Sequence, residues 1–249
     1  MISREMNMKM TEKEFCTLCQ KCFCSNSLSE FAATDCLSQF YRMVDHMLQV
    51  NSTMNLTAIT EPYQIIIKHL ADSLTVAKYI PHGASLLDVG CGGGFPSLPL
   101  AIARPDLRIT ALDSTAKKTT YVSESARLLG LDNLTTLTDR AETLAHDMNY
   151  REQYDVAIAR AVASLPVLCE LCIPFVKIGG YMIAMKAKNT DEPSGNAAQK
   201  LGSARFVEYT LSLYGNEIPE ERSILISQKQ KMTDNTYPRP YSRIKNKPL

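Results

Sequence analysis

A glycine-rich segment near the middle of the chain has the residue types of a loop that binds a small molecule. Residues 88–96 read Asp-Val-Gly-Cys-Gly-Gly-Gly-Phe-Pro, with Gly90, Gly92 and Gly94 at every second position. Glycines let a backbone turn sharply and approach a ligand where a Cβ atom would clash. A helix predicted to begin at Pro96 would place its free N–H groups beside this loop, and such groups favour a carboxylate or another anion.

An acidic residue lies at the matching place on the next predicted strand. Asp113 ends the apolar run 108–113, and a carboxylate there can accept hydrogen bonds from both hydroxyls of an adenosine ribose. Two cofactors suit such a site. A dinucleotide requires the last glycine three residues after the second, to seat its pyrophosphate. The present spacing, with Asp88 two residues before the first glycine, is similar to motif I of S-adenosylmethionine methyltransferases. We therefore expect Asp88, the three glycines and Asp113 to contribute to an S-adenosylmethionine site.

The elements that would position these residues alternate along the chain. Apolar runs predict five strands with helices between them, at 85–90, 108–113, 133–139, 154–160 and 180–186. Such alternation is typical of a parallel sheet covered by helices on both faces. Two further candidate strands, 206–213 and 223–228, have no predicted helix between them, so we expect an antiparallel pair at the sheet edge. The sequence thus predicts an α/β fold with a seven-stranded, mostly parallel, Rossmann-like sheet.

The flanking segments differ from this core. Residues from about 12 to 50 are predicted to be helical, because apolar residues recur at steps of three to five. A second short helix is predicted after Pro62. We expect residues 1–80 to form a helical extension packed on the core, 81–234 to form the cofactor-binding core, and 235–249 to form a basic tail without periodicity. All three would belong to one structural domain.

Composition restricts the location and the partners. The chain has 249 residues, a formal net charge of +1 and 45% hydrophobic residues, which is ordinary for a globular protein. No apolar run approaches the roughly 20 residues that span a bilayer, and no apolar leader follows Met1. We therefore expect a cytoplasmic protein with no membrane or DNA partner. If RNA is the substrate, the positive charge that attracts it must be local.

Ordered matches to one known family run from about Phe31 to the C-terminus. They are Met54–Ile59, Lys68-His69, Asp72–Leu74, 88–96, Pro99–Asp106, Leu112–Ser114, Lys117-Lys118, Arg140–Glu142, Ala159–Pro166, Tyr237–Arg239 and Lys247–Leu249. These segments resemble the ribosomal RNA small-subunit methyltransferase G family, also called the glucose-inhibited division protein B family. The chain departs from the family pattern at Cys91, Gly93, Ser97 and Lys118, but none of these changes removes a group that the reaction needs.

The resemblance implies a class I methyltransferase fold and a guanine N7 target in the decoding region of 16S ribosomal RNA. Carried over position by position, the family's cofactor pocket corresponds to Gly90, Phe95, Ala141, Glu142 and Arg160. Two of these have plainer alternatives. Glu142 could only complement the dipole of the helix that it begins, and Phe95 could be an ordinary core residue.

The predicted chemistry makes few demands on the protein. The N7 lone pair of guanine is unprotonated at neutral pH and can attack the sulfonium methyl group directly, so no general base is expected and catalysis rests on positioning. The segment 160–164 offers no Asn-Pro-Pro-Tyr-like motif and no cysteine nucleophile. We expect Arg160, at the end of a strand, to contact the cofactor's carboxylate end, or guanine O6 or a phosphate, but not N7.

Basic residues near the tail and the cofactor loop are candidates for RNA contact. They are Lys117, Lys118, Arg239, Arg243, Lys245 and Lys247. Lysine and arginine bind phosphates without reading sequence, although a solvated tail is the alternative. His69 and Asp72, at i and i+3 on one helix, could form a local hydrogen bond or could lie at the active-site mouth.

Two alternatives concern the cysteines and the function as a whole. Cys16, Cys19, Cys22 and Cys24 lie within nine residues, which is too crowded for typical zinc ligands, so we expect an apolar helix face and no metal. The rival to an enzyme is a non-catalytic RNA- or ribosome-binding protein that retains the cofactor pocket. An intact glycine loop with Asp113 and Arg160 favours the enzyme. We expect a monomer.

Overall fold

A computed structural model describes residues 10–160, 163–187, 196–215 and 219–249. Its strands are β1 (Ser85–Val89), β2 (Arg108–Asp113), β3 (Leu134–Thr138), β4 (Tyr154–Arg160), β5 (Val176–Ala187), β6 (Val207–Leu213) and β7 (Glu220–Gln228). They form one sheet in the order β3-β2-β1-β4-β5-β7-β6. Strands β1 to β5 pair in parallel, and β7 is antiparallel to both β5 and β6. The predicted class of sheet and its antiparallel edge are confirmed.

Helices cover both faces of this sheet. They are α1 (Glu12–Ser25), α2 (Thr34–Met54), α3 (Pro62–Ile65), a π-helix (Ile66–Ala71), α4 (Asp72–Leu74), α5 (Ser97–Ala103), α6 (Ala116–Leu129), α7 (Ala141–Leu144), α8 (Leu165–Cys172), α9 (Ala197–Lys200) and α10 (Tyr241–Asn246). Successive strand residues point to opposite faces, so Leu86 packs in a hydrophobic cluster with the N-terminal helices. Leu87 packs in a second cluster with α8. The N-terminal helices therefore share a core with the sheet.

The helix predicted from about residue 12 to 50 is wrong at its middle, where the chain turns between α1 and α2. The side chain of Asn26 ends α1 by donating from Nδ2 to the carbonyl oxygens of Cys22 and Tyr214. Ser27 then adopts a left-handed conformation, with φ of 57°, which a helix cannot continue. The apolar spacing continues on both sides of the turn because α1 and α2 pack their apolar faces into one hydrophobic cluster.

The C-terminal segment is ordered, in contrast to the aperiodic tail that the sequence predicts. It forms α10, in which Ile244 is completely buried. A single apolar residue among cations carries no detectable periodicity. Ile244 packs in the hydrophobic cluster that includes α8.

Candidate active site

A cavity of about 570 Å³ opens at the carboxyl ends of β1, β2 and β4. This is where ligands bind in open α/β sheets. Its lining residues are Leu56, Thr57, His69, Val89, Gly90, Cys91, Gly92, Gly93, Phe95, Leu112, Asp113, Ser114, Thr115, Lys118, Asp139, Arg140, Ala141, Glu142, Arg160, Leu171 and Tyr241. The cavity therefore brings together Gly90, Gly92, Phe95, Asp113, Ala141, Glu142 and Arg160 from the predicted site.

The glycine loop is tied down to β2. The N–H groups of Gly90 and Cys91 donate to the carbonyl oxygen of Leu112 over 2.8 and 3.0 Å. Gly90 and Gly92 have φ values of 77° and 55°, which residues with a Cβ atom rarely adopt. The loop thus presents bare backbone to the cavity, as close approach of a cofactor requires.

Two of the predicted cofactor-binding residues lie behind the loop and do not line the cavity. Gly94 faces α5, where an added Cβ atom would come within 2.5 Å of a Leu98 methyl group. Asp88 is completely buried, and its Oδ2 accepts a short hydrogen bond from the Ser97 hydroxyl. Burial raises the pKa of Asp88 to about 6. We infer that both residues shape the loop from beneath.

Among the described residues, the second oxygen of Asp88 lies unpaired beneath the loop. Oδ1 is buried and finds no hydrogen-bond partner within the described parts of the chain. A buried polar atom without a partner is costly, and such atoms cluster at functional sites. The glycine cradle and the acidic end of β2, which line the cavity, fit a cofactor with an amino-acid end and a ribose.

Asp113 closes the loop from the neighbouring strand. Its Oδ2 accepts from the N–H of Gly92 at 3.1 Å and lies 3.6 Å from the Lys118 ammonium. Its Oδ1 accepts from the N–H of Thr115 at 2.9 Å. These contacts hold the carboxylate at the cavity wall, where it can also accept from ribose hydroxyls.

Arg160 reaches the opposite side of the cavity and is held in place there. Its Nη1 donates to the carbonyl oxygen of Lys68 at 3.0 Å and to Oδ2 of Asp72 at 3.1 Å. The π-helix that contains Lys68 is of a kind that often occurs at functional sites. The guanidinium also lies over the ring of Phe95, 5.3 Å from its centroid. The fork is therefore oriented before any ligand arrives.

His69 and Phe95 form the wall between Arg160 and the glycine loop. Their rings stack with centroids 4.4 Å apart, and His69 Nε2 lies 2.9 Å from the Thr57 hydroxyl. Burial, together with the nearby charge of Arg160, lowers the pKa of His69 to about 4. The imidazole is consequently neutral at physiological pH, and the placement of His69 at the mouth agrees with the functional alternative.

Sequence reasoning missed the ion pairs behind Arg160. Arg222 on β7 donates from Nε to Oδ1 of Asp72 at 3.2 Å and from Nη2 to Glu220 at 2.7 Å. Glu220 in turn pairs with the ammonium of Lys68 at 2.8 Å. These contacts form a closed network, because the main-chain carbonyl of Lys68 also accepts a hydrogen bond from Arg160. Its members come from distant segments, so no local pattern signals it.

The far end of the cavity is formed by the residues after β3 and by α10. Glu142 is the second residue of α7, and its Oε1 lies 3.6 Å from Nη1 of Arg140. Both line the cavity, as does Ala141. Tyr241 on α10 completes this end, with Arg140 lying 5.9 Å from the centre of its ring. Sequence reasoning did not place Tyr241 in the cofactor pocket.

The predicted RNA-binding cations separate into two groups. Lys117, Arg243, Lys245 and Lys247 are exposed, and Lys118 is exposed over 39% of its side chain at the cavity. Arg239 differs, because its guanidinium turns inward and donates two hydrogen bonds, over 2.8 and 2.7 Å, to the completely buried carboxylate of Glu170. The structure therefore gives Arg239 an anchoring contact in place of a surface position.

The N-terminal cysteines lie on one helix, as expected. Cys19 and Cys22 are buried, whereas Cys24 is exposed. Burial raises the pKa of both buried thiols, that of Cys22 to about 11. Within the described ranges, no group of three or more histidine, cysteine or acidic residues is arranged to hold a metal ion. In those same ranges, no helix is long and apolar enough to cross a bilayer.

Comparisons of the sequence with known proteins point to one family. The family model for rRNA small subunit methyltransferase G matches residues 36–223. The ribosomal RNA small subunit methyltransferase G of Lactiplantibacillus plantarum is 42% identical over 221 residues, covering 86% of this chain and 90% of that protein. The protein of the same name from Geobacillus kaustophilus is 43% identical over 208 residues, covering 82% of this chain and 87% of the relative.

Solved structures agree on the fold. The cyclase SpnF superposes with a TM-score of 0.51 at 16% identity, covering 64% of this chain and 82% of its own. The protein TYW2 of P. horikoshii gives a TM-score of 0.50 at 14% identity, covering 65% of this chain and 63% of its own. The family resemblance, the S-adenosylmethionine cofactor and the methyltransferase class are confirmed by the sequence comparisons together with this fold. The chain belongs to the rRNA small subunit methyltransferase G family.

Proposed function

We propose that this methyltransferase transfers the methyl group of S-adenosylmethionine to N7 of a guanine in the decoding region of 16S ribosomal RNA. The observation that carries the proposal is the preoriented Arg160, which faces the glycine loop and Asp113 across one cavity. Its close relatives are named for methylation of small-subunit ribosomal RNA. The products would be S-adenosylhomocysteine and N7-methylguanosine.

The residues of the cavity suit a reaction that needs positioning and no general base. The glycine loop would cradle the amino-acid end of the cofactor, and Asp113 would hold its ribose. The bound cofactor supplies an electrophilic methyl group. Arg160, Phe95 and His69 would hold the guanine so that its N7 lone pair lies in line with that group. His69 is neutral at physiological pH, so it would not repel an incoming cationic sulfonium group.

The cysteine in the glycine loop does not suit a nucleophile. Cys91 lines the cavity but is buried. Burial raises the pKa of its thiol well above the ordinary value. Since the thiolate is the reactive form, a covalent mechanism through Cys91 has no support, whereas direct attack by guanine N7 requires no such group.

Cations at the start of α6 and in the C-terminal segment support an RNA partner. Lys117, Lys118, Arg243, Lys245 and Lys247 would contact phosphates of 16S ribosomal RNA or of the small subunit, outside the base-reading site. A guanine exposed from a single-stranded loop could then enter the cavity. We further propose that the protein acts as a cytoplasmic monomer, without a DNA or membrane partner.

A complementation experiment tests the proposal in cells. A strain that lacks this gene would receive the wild type, Asp113→Ala or Asp132→Ala, and N7-methylguanosine in its 16S RNA would be measured by nucleoside mass spectrometry. We expect the wild type and the exposed control Asp132→Ala to restore the nucleoside, and Asp113→Ala to fail. Unchanged N7-methylguanosine in the deletion strain would reject the proposed reaction and favour a non-catalytic ribosome-binding protein.

A further inference from the structure

The segment after β7 is fastened to the core by buried polar contacts. Arg239 forms a two-bond ion pair with Glu170, whose side chain is 0% exposed. Arg151 donates from Nη1 to the carbonyl oxygen of Tyr237 at 2.9 Å. His146 Nε2 lies 2.8 Å from the carbonyl oxygen of Pro238. These contacts fix the position at which α10 begins.

The first residue of α10 therefore has a defined place at the cavity. Tyr241 lines the wall together with Arg140 and Ala141. Ile244 follows three residues later on the same face of α10, and its complete burial turns that face toward the protein. The residue is 38% exposed, which leaves part of the Tyr241 side chain open to solvent and ligands at this end of the cavity.

The order of the strands indicates which part of the cofactor would meet this ring. The glycine loop follows β1, Asp113 ends β2, and Arg140 follows β3, and these strands are adjacent in that order. If Asp113 holds the ribose, the amino-acid end extends back toward the glycine loop and Arg160. The adenine then extends the other way, toward Arg140 and Tyr241.

We propose that Tyr241 is a cofactor-contacting residue whose ring packs against the adenosine part of S-adenosylmethionine, so that the C-terminal segment forms one wall of the cofactor site. This inference rests on the proposed function for the identity of the cofactor. An aromatic ring beside a guanidinium provides a flat surface of the kind on which purine bases stack. The basic segment that the sequence suggests as an RNA-binding tail thus has a second role at the cavity.

Isothermal titration of the full-length protein with S-adenosylhomocysteine, without RNA, tests the inference. We expect Tyr241→Ala to raise the Kd about three- to tenfold, the range that aromatic contacts usually give. Tyr241→Phe keeps the ring and should stay close to the wild type. Ser242→Ala, the exposed neighbour on the same helix, is the matched control and should leave the Kd unchanged.

A second ligand locates the contact. The Kd of 5′-methylthioadenosine, which keeps the adenosine and lacks the amino-acid end, should rise by a similar factor in Tyr241→Ala. An effect seen only with S-adenosylhomocysteine would overturn the assignment to adenosine, and an unchanged Kd for both ligands would overturn the contact itself. Failure of the wild type to bind S-adenosylhomocysteine would instead reject the proposed function together with this inference. Equal unfolding temperatures of the unliganded variants would exclude a general loss of structure.

Discussion

Arg160 shows how a single side chain is prepared for its task by its surroundings. Its guanidinium is bonded to the carbonyl oxygen of Lys68 and to Asp72, and Asp72 is held in turn by Arg222. A planar fork with several donors can satisfy these partners and still face a ligand. The side chain is therefore oriented when the protein folds, so its conformational entropy does not have to be lost during the reaction.

Replacing the fork while keeping the charge tests this interpretation. Arg160→Lys should lower kcat/KM for methyl transfer by about 10²-fold, because an ammonium cannot keep both anchoring contacts and still reach the ligand. The exposed Arg205→Lys is the matched control, and it should transfer methyl groups at the wild-type rate. Single-turnover assays with labelled cofactor would measure both, and near wild-type turnover of Arg160→Lys would contradict the assigned role.

His69 should make the stability of the protein depend on acid. Its folded-state pKa is about 4, below the ordinary 6.5, so the unfolded chain binds a proton that the folded protein excludes. Stability therefore falls as the pH drops from about 6.5 toward 4. Between pH 7 and pH 4.5 we expect the wild type to lose about 2–3 kcal/mol more than His69→Gln. Urea unfolding at both pH values measures this, and parallel losses in the two proteins would count against a buried, neutral imidazole.

The residues that the sequence predicts well are those with a local signal. Gly90, Gly92 and Asp113 stand out because their types and spacing serve one short ligand-binding turn, and all three line the cavity. The ion pairs of Arg222 and the place of Tyr241 at the cavity escaped prediction, because both residues meet their partners only after distant segments fold together. Ion pairs and ring contacts between remote segments leave no periodic trace in a sequence.

At the scale of elements, the turn between β1 and α5 packs the glycine loop tightly against the helix that follows it. Gly94 has a φ of 84°, and an added Cβ atom would lie 2.5 Å from Cδ1 of Leu98. Gly83 has a similar φ of 69° but open space around it. Comparison of these two glycines therefore separates backbone strain from steric overlap.

The expected outcome of that comparison is unequal destabilisation. Gly83→Ala should lower the free energy of unfolding by about 1–2 kcal/mol through strain alone. Gly94→Ala should lower it by about 1–3 kcal/mol more, because Leu98 must move within a packed core. Chemical denaturation measures both changes. Equal losses would mean that Leu98 moves aside at little cost, and that Gly94 is needed only for its positive φ.

Strands were easier to predict than helix boundaries in this chain. The apolar runs at 108–113 and 154–160 coincide with β2 and β4, because buried parallel strands are rich in apolar residues. Apolar periodicity alone could not reveal the break at Asn26, since its cause is a side-chain bond to the distant Tyr214. Periodicity also could not predict α10, because its one buried apolar residue, Ile244, leaves no repeating pattern.

At the scale of the whole molecule, the ion pair between Arg239 and the buried Glu170 is one of the contacts that hold the C-terminal segment. Removing one partner leaves a charge without compensation in the interior, so Arg239→Ala should lower the free energy of unfolding by about 3–5 kcal/mol. The exposed Arg243→Ala should change it little. Thermal and chemical unfolding would compare them, and wild-type stability of Arg239→Ala would show that Glu170 finds another partner.

The N-terminal helices and the sheet share one hydrophobic cluster, whereas the C-terminal segment joins the cluster on the other face. Division into 1–80, 81–234 and 235–249 within a single structural domain stays a prediction. The closing of the cavity by residues from the first and the last of these parts suggests that neither can be removed without altering the site.

The most direct test of the central claim is methyl transfer to a mapped guanine. Purified protein would be incubated with methyl-labelled S-adenosylmethionine and small ribosomal subunits from a strain that lacks this gene, and N7-methylguanosine would be located by chemical cleavage of the RNA. We predict label at one guanine in the decoding region of 16S RNA. Absence of label from both subunits and protein-free RNA, in a protein that binds the cofactor, would contradict the account.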